Sequence, residues 1–134
     1  MGLRSFIHSL TAPTLESVAA GQYKMALIVN HSLGMKKGKI AAQVAHGAVS
    51  ATLKATPELL EAWFAGGQAK VTLKGTDDEQ LLYLHEKAKL AGLNCCKIRD
   101  AGRTQIPSGS LTVVAIGPAL KKELNQITGE MKLL

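Results

Sequence analysis

A chain of 134 residues, 46% hydrophobic and 19% charged, has the size to bury one ordinary core, which argues against two domains, and no apolar run is long enough to cross a bilayer. The net charge of +6 is uneven: residues 1–57 hold six basic residues against one acid, Glu16, while residues 58–134 hold ten basic and nine acidic residues. Three lysines, Lys36, Lys37 and Lys39, fall within four positions and focus a field that attracts phosphate, although charge by itself is equally compatible with a solvated lysine patch.

Residues 1–22 read as an N-terminal extension, poorly ordered or a short helix, ahead of a domain over 23–134. The segment is rich in Ser and Thr and holds one acid and one arginine, faintly like an organelle leader, and it has no apolar core of the secretory kind. The run YKMALIV, Tyr23 to Val29, is a buried first strand that ends in the polar residues Asn30, His31 and Ser32. After Gly38, the residues Ile40, Ala41, Val44, Ala48, Val49 and Leu53 recur at helical spacing and predict an amphipathic helix. Thr56 caps a short helix that opens with Pro57 and stops at Gly66 and Gly67.

Ala69 to Lys74 is the second strand. Thr76 with Glu79 three residues on forms a capping box before a helix that Gly92 ends. Cys95 to Arg99 is the third strand and Leu111 to Ile116 the fourth, separated by the irregular loop DAGRTQIPSGS. A helix over Ala119 to Ile127 and the tail MKLL complete the chain. Strands alternating with helices predict an α/β fold. Cys95 and Cys96 are neighbours, poorly placed for a disulfide and too few for a structural zinc site, so both are expected reduced.

Two regions carry candidate chemistry. At Lys36–Lys39 a helix start exposes unpaired N–H groups and the positive end of the dipole, an anion site that lysines would complete. The spacing is not that of a Walker motif, since Gly34 lies four residues before Gly38 and Ile40 follows Lys39. Along the same helix Lys39, Gln43, His46 and Ser50 form a polar stripe that can donate to phosphates or riboses and contains no carboxylate. The second region is the loop after the third strand, where Asp100, Arg103, Thr104 and Gln105 stand together and Ser110 and Thr112 enter the fourth strand. A lone aspartate there would be a turn former, but the loop is denser in polar groups than a connection requires. There is no G-x-S-x-G elbow, no Cys/His nucleophile pattern and no metal-ligand spacing among His8, His31, His46 and His85. A hydrolase on this chain would activate water by positioning and electrostatics, and neither metal nor cofactor is expected.

The blocks YKMALIV, KKGKIAAQVAHGAVSA, IRDAGRTQIPSGSLTVVAIGP and ITGEMKLL, in that order over residues 23–134, resemble the second type of peptidyl-tRNA hydrolase, found in archaea and eukaryotes. The resemblance implies a single α/β domain with a small four-stranded mixed sheet flanked by helices on both faces. It implies hydrolysis of the ester between a peptide and the 3′ end of tRNA, with Lys37, Asp100 and Thr104 as the catalytic set. Gln43, His46, Ser110 and Thr112 would bind substrate, while Lys36, Lys39, Arg103 and Lys54 would hold the acceptor end through its phosphates. Members of that family tend to pair, so a homodimer is expected, in the cytoplasm or, as the N-terminal segment suggests, the mitochondrion. The competing class is a basic RNA-binding or adaptor module without turnover. It accounts for the lysines but not for Asp100 beside them, because a carboxylate repels phosphate.

Overall fold

The computed structural model describes residues 22–101 and 106–134. The elements in chain order are β1 (Tyr23–Asn30), a 3-10 turn (His31–Leu33), α1 (Lys37–Lys54), α2 (Pro57–Ala65), β2 (Lys70–Gly75), α3 (Asp78–Leu90), β3 (Cys95–Arg99), β4 (Leu111–Leu120) and α4 (Lys121–Thr128). The strands form one mixed sheet in the order β2-β1-β4-β3. β1 runs parallel to β2 and antiparallel to β4, and β3 pairs antiparallel with β4. The expected α/β architecture is present.

β1 and β4 are central and apolar without alternation, as strands covered on both faces must be. Along β1, Met25, Leu27 and Val29 point into a core shared with Leu60 and Trp63 of α2 and Ala51 of α1. Ala26 and Ile28 point the other way, to Leu81 and Leu84 of α3 and Leu124 of α4. Two helices therefore cover each face.

Local chemistry fixes the ends. Thr56 accepts a hydrogen bond from Leu59 N, with Pro57 in the first helical turn, as its position predicts. At α3 the cap is Asp77, not Thr76: its carboxylate accepts from Gln80 N at 2.9 Å, and the Gln80 side-chain oxygen accepts from Thr76 N at 2.7 Å. The cap thus sits one residue later than the sequence predicts, because the Asp77 carboxylate takes the capping role and Thr76 is engaged instead by the Gln80 side chain. The last strand is longer than expected and the last helix starts later, since Ala119 and Leu120 are held in pairing with Lys24 and Tyr23.

The largest departure is the face that α1 buries. Gln43, Gly47 and Ala51 point inward, while Val49 is 59% and Leu53 82% exposed. Gly47 shows why. A Cβ at this position would lie 3.1 Å from Val113 and 3.2 Å from Leu27, so the helix lies close to the sheet through its smallest residues. With that close approach Gln43 comes to the sheet, Ile40, Val44 and Ala48 pack at its margin half-buried, and Val49 and Leu53 turn outward.

Candidate active site

The loop after β1 and the start of α1 bring the first candidate region to the end of the sheet where β3 also finishes. Asn30 is fully buried there. Its amide nitrogen donates to Leu111 O at 2.8 Å and to Asp78 Oδ1 at 2.5 Å, and its Oδ1 accepts from Ser32 N and Ser32 Oγ. One side chain therefore ties the end of β1 to β4, to the start of α3 and to the turn that leads into α1. The sequence pattern ends the strand at Val29, whereas in the structure Asn30 is its last residue. The readable signal was a polar residue directly at the carboxyl end of an apolar strand.

Lys36 is the N-cap of α1 and supplies no side-chain cap, and the first turn holds no acid. The first backbone N–H groups of the helix and its positive dipole end are thus left to solvent or a ligand. Lys36, Lys37 and Gly38 are exposed, and no atom of the described residues lies within 4 Å of where a Cβ on Gly38 would stand. This is the geometry of an anion site built on backbone donors and flanked by two ammonium groups.

Asp100 follows β3 and is 5% exposed. Its backbone is clamped by Asp100 N donating to Ser110 O at 2.8 Å and Gly109 N donating to Asp100 O at 3.0 Å, which closes the base of the loop. Its Oδ1 forms an ion pair with Lys39 Nζ across 61 residues of sequence, with side-chain exposures of 1% and 13%. The lysine that meets Asp100 is thus Lys39 and not Lys37, which stands exposed one helical position before Gly38 and makes no ion pair among the described residues.

Thr112 is fully buried, and its hydroxyl lies 2.6 Å from Gln43 Oε1 and 3.2 Å from Ile98 O. Its orientation comes from a bulge. Ile98 is opposite Val113 while Arg99 is opposite Leu111, so Thr112 is an extra residue in β4. The bulge turns Thr112 and Val113 both toward α1 and re-aims a hydroxyl next to Asp100's strand. With Oε1 of Gln43 held by Thr112, the amide retains its two N–H donors. Thr112→Val should lower stability by about 1–3 kcal/mol, because it strips the buried Gln43 oxygen of its donor. Urea unfolding checks this, and an unchanged midpoint would remove Thr112 from its positioning role.

Structure therefore gathers Lys39, Gln43, Asp100 and Thr112. Ser110 lies at the loop base with its hydroxyl spent on Pro107 O at 2.7 Å, and His46 is exposed on α1. Arg103 and Thr104 lie outside the described residues. Lys54 is at the opposite end of α1, where its Nζ donates to Cys95 O at 2.8 Å. Cys95 and Cys96 are free, and burial pushes both thiols above their ordinary range, which leaves them poor nucleophiles. Among the described residues no group of three His, Cys, Asp or Glu side chains is placed to hold a metal ion, and no helix is long and apolar enough to cross a membrane.

The family model for peptidyl-tRNA hydrolase PTH2 matches residues 23–134. The chain is 46% identical over 131 residues to peptidyl-tRNA hydrolase 2, mitochondrial, of Bos taurus, covering 92% of this chain and 73% of the relative. It is 47% identical over 117 residues to the Homo sapiens protein of the same name, covering 85% and 65%. To the peptidyl-tRNA hydrolase of Thermococcus onnurineus it is 42% identical over 116 residues, covering 84% and 98%. The chain thus spans roughly two thirds to three quarters of the mammalian relatives' length and nearly all of the archaeal one. Over the same residues that supply the anion site at Lys36–Lys39 and the carboxylate at Asp100, the chain belongs to the peptidyl-tRNA hydrolase PTH2 family.

Proposed function

We propose that this chain hydrolyses the ester between a peptide and the 3′ end of tRNA, and that it does so at the junction of α1, β3 and β4. The observation that carries the assignment to this place is the buried Asp100 carboxylate paired with Lys39 beside an uncapped helix start. An adaptor that only bound RNA would have no use for a carboxylate next to its anion site.

In this reading Asp100 orients the attacking water and accepts its proton, with Thr104 directing the same water. Lys39 compensates the carboxylate and holds it in place. Lys37 and the N–H groups at the start of α1 stabilise the oxyanion or the neighbouring phosphate. Gln43, held by Thr112, together with His46 and Ser110, positions the acceptor end, while Lys36 and Arg103 add phosphate contacts that carry no base readout, and Lys54, at the far end of α1, stands too far along the helix to join them. The attack places the water oxygen on the acyl carbon and releases the ribose hydroxyl, so atoms balance without a further reactant.

Release of an N-acetylated aminoacyl group from tRNA, compared with its free-amine counterpart, tests the reading. Selective cleavage of the blocked substrate is expected. Salt-dependent tRNA binding with no cleavage of either substrate would replace it by the adaptor reading.

Two further points belong to the proposal. The exposed Val49 and Leu53 beside Phe64 offer an apolar face on which a second copy fits. Leu53→Glu is expected to convert a dimer to a monomer in sedimentation velocity, and a wild-type monomer at tens of micromolar contradicts the pairing. For the compartment, the word mitochondrial in the names of the mammalian relatives favours the mitochondrial alternative over the cytoplasmic one.

A further inference from the structure

The β3 edge of the sheet carries a second concentration of positive charge, which begins beside Asp100 and runs away from it. β3 is an edge strand of the sheet, and none of the described residues pairs with its outer side. The opposite edge, β2, is covered by the C-terminal residues, where Leu73 pairs with Leu133 and Lys74 N and Leu134 N donate to Lys132 O and Thr72 O. Along β3, alternate residues share a face, so Lys97 and Arg99 follow Cys95 at steps of roughly 6.6 Å, and both are exposed. From α3, His85 comes to the same edge, its carbonyl 3.9 Å from Cys95 Sγ, and the exposed Lys89 lines one shallow cavity with Cys95 and with Lys54, which arrives from the end of α1 to bond Cys95 O. Lys97, Lys54 and Lys89 all act on the His85 ring, which burial first and then these lysines push below its ordinary pKa, while Glu86 is the carboxylate that opposes them.

Three lysines, an arginine and one opposing acid thus form a row from Arg99, next to Asp100, to Lys54, over roughly 13 Å of strand. Like charges held in line repel one another, and a row of them beside one end of a site suits a strand of phosphates better than any single small anion. The acids Asp77, Asp78 and Glu79 stand at the start of α3, where Asp78 bonds Asn30 at the end of β1, and so lie away from the Lys89 and Lys54 end of the row.

We propose that Arg99, Lys97, Lys89 and Lys54 form a track for the phosphate backbone of the tRNA stem, along which the RNA leaves the site once its 3′ end has reached Asp100. The proposal rests on the peptidyl-tRNA reading above and adds to it a contact remote from the ester. Duplex RNA offers its backbone and 2′-hydroxyls without base readout, so the track is expected to be indifferent to tRNA identity.

The test is the double charge reversal Lys89→Glu with Lys97→Glu, both at exposed positions, measured on uncharged tRNA and on two N-acetyl-aminoacyl substrates. One substrate is a full tRNA, and the other a short acceptor oligonucleotide that ends before the track. Affinity for uncharged tRNA should fall about tenfold or more, with the slope of log affinity against log salt flattened by roughly two. KM for the full tRNA should rise by a similar factor, with turnover of the short substrate unchanged. Unaltered tRNA affinity overturns the track whatever the turnover, and an equal loss on both substrates overturns its remoteness from the ester. Failure of the hydrolase reading itself would show separately, as no turnover by the wild type.

Discussion

Asp100→Asn is expected to lower kcat on N-acetyl-aminoacyl-tRNA by about 10²–10⁴-fold, the range supplied by a positioned general base, with tRNA affinity within about twofold of wild type. The substitution keeps the size of the side chain. It also keeps the backbone clamp, because Asp100 N still reaches Ser110 O and Gly109 N still reaches Asp100 O. What it removes is the negative charge that pairs with Lys39 and the capacity to take a proton from water. Single-turnover kinetics separate the two quantities, since a defect in binding moves the concentration dependence and a defect in chemistry moves the plateau. A plateau unchanged from wild type would dismiss Asp100 as the base.

Lys39→Met should lower stability by about 3–5 kcal/mol, the loss seen when one partner of a buried pair is removed, because Asp100 keeps a carboxylate whose side chain is only 1% exposed. Lys37→Met should change stability by less than about 0.5 kcal/mol, since Lys37 is exposed and makes no ion pair among the described residues. Activity separates the two lysines differently. Lys37→Met is expected to lose about 10²–10³-fold in kcat as the oxyanion loses its ammonium. The double variant Lys39→Met with Asp100→Asn should regain part of the stability lost by Lys39→Met alone, because the two residues are coupled, while remaining inactive. Urea unfolding of the four proteins measures this, and additive losses would show that the pair contributes no coupling.

Much of the frame was legible in the sequence, and the reasons are specific. The unbroken apolar runs around Leu27 and Val114, short and rich in β-branched residues, read as strands covered on both sides, and Thr56-Pro57 reads as the start of a helix. The lysine cluster after β1 was readable as a helix start, because the chemistry of an uncapped N-terminus is local. What periodicity misread is the inward face of α1. Hydrophobicity ranks Val49 and Leu53 above Gly47 and Gln43, but close approach to the sheet selects for smallness, and Thr112 supplies the partner that lets Gln43 be buried.

The pairing of Lys39 with Asp100 was not legible either. Both residues were singled out as functional, yet the choice between Lys37 and Lys39 depends on which face of the first helical turn meets the end of β3, and that is settled by tertiary packing. Charge counted by segment concealed the β3 edge for a similar reason. The second half of the chain is nearly neutral in sum, but Lys89, Lys97 and Arg99 come to one edge of the sheet, and Lys54 joins them from the first half.

The most direct measurement is a single turnover of N-acetyl-aminoacyl-tRNA in water enriched in oxygen-18, with wild type and Asp100→Asn side by side. Label in the carboxylate of the released acyl group with wild type, and a rate lower by about 10²-fold or more with Asp100→Asn, is the expected result. Release at the same rate by both proteins, or an acyl product without label, would contradict water activation by Asp100.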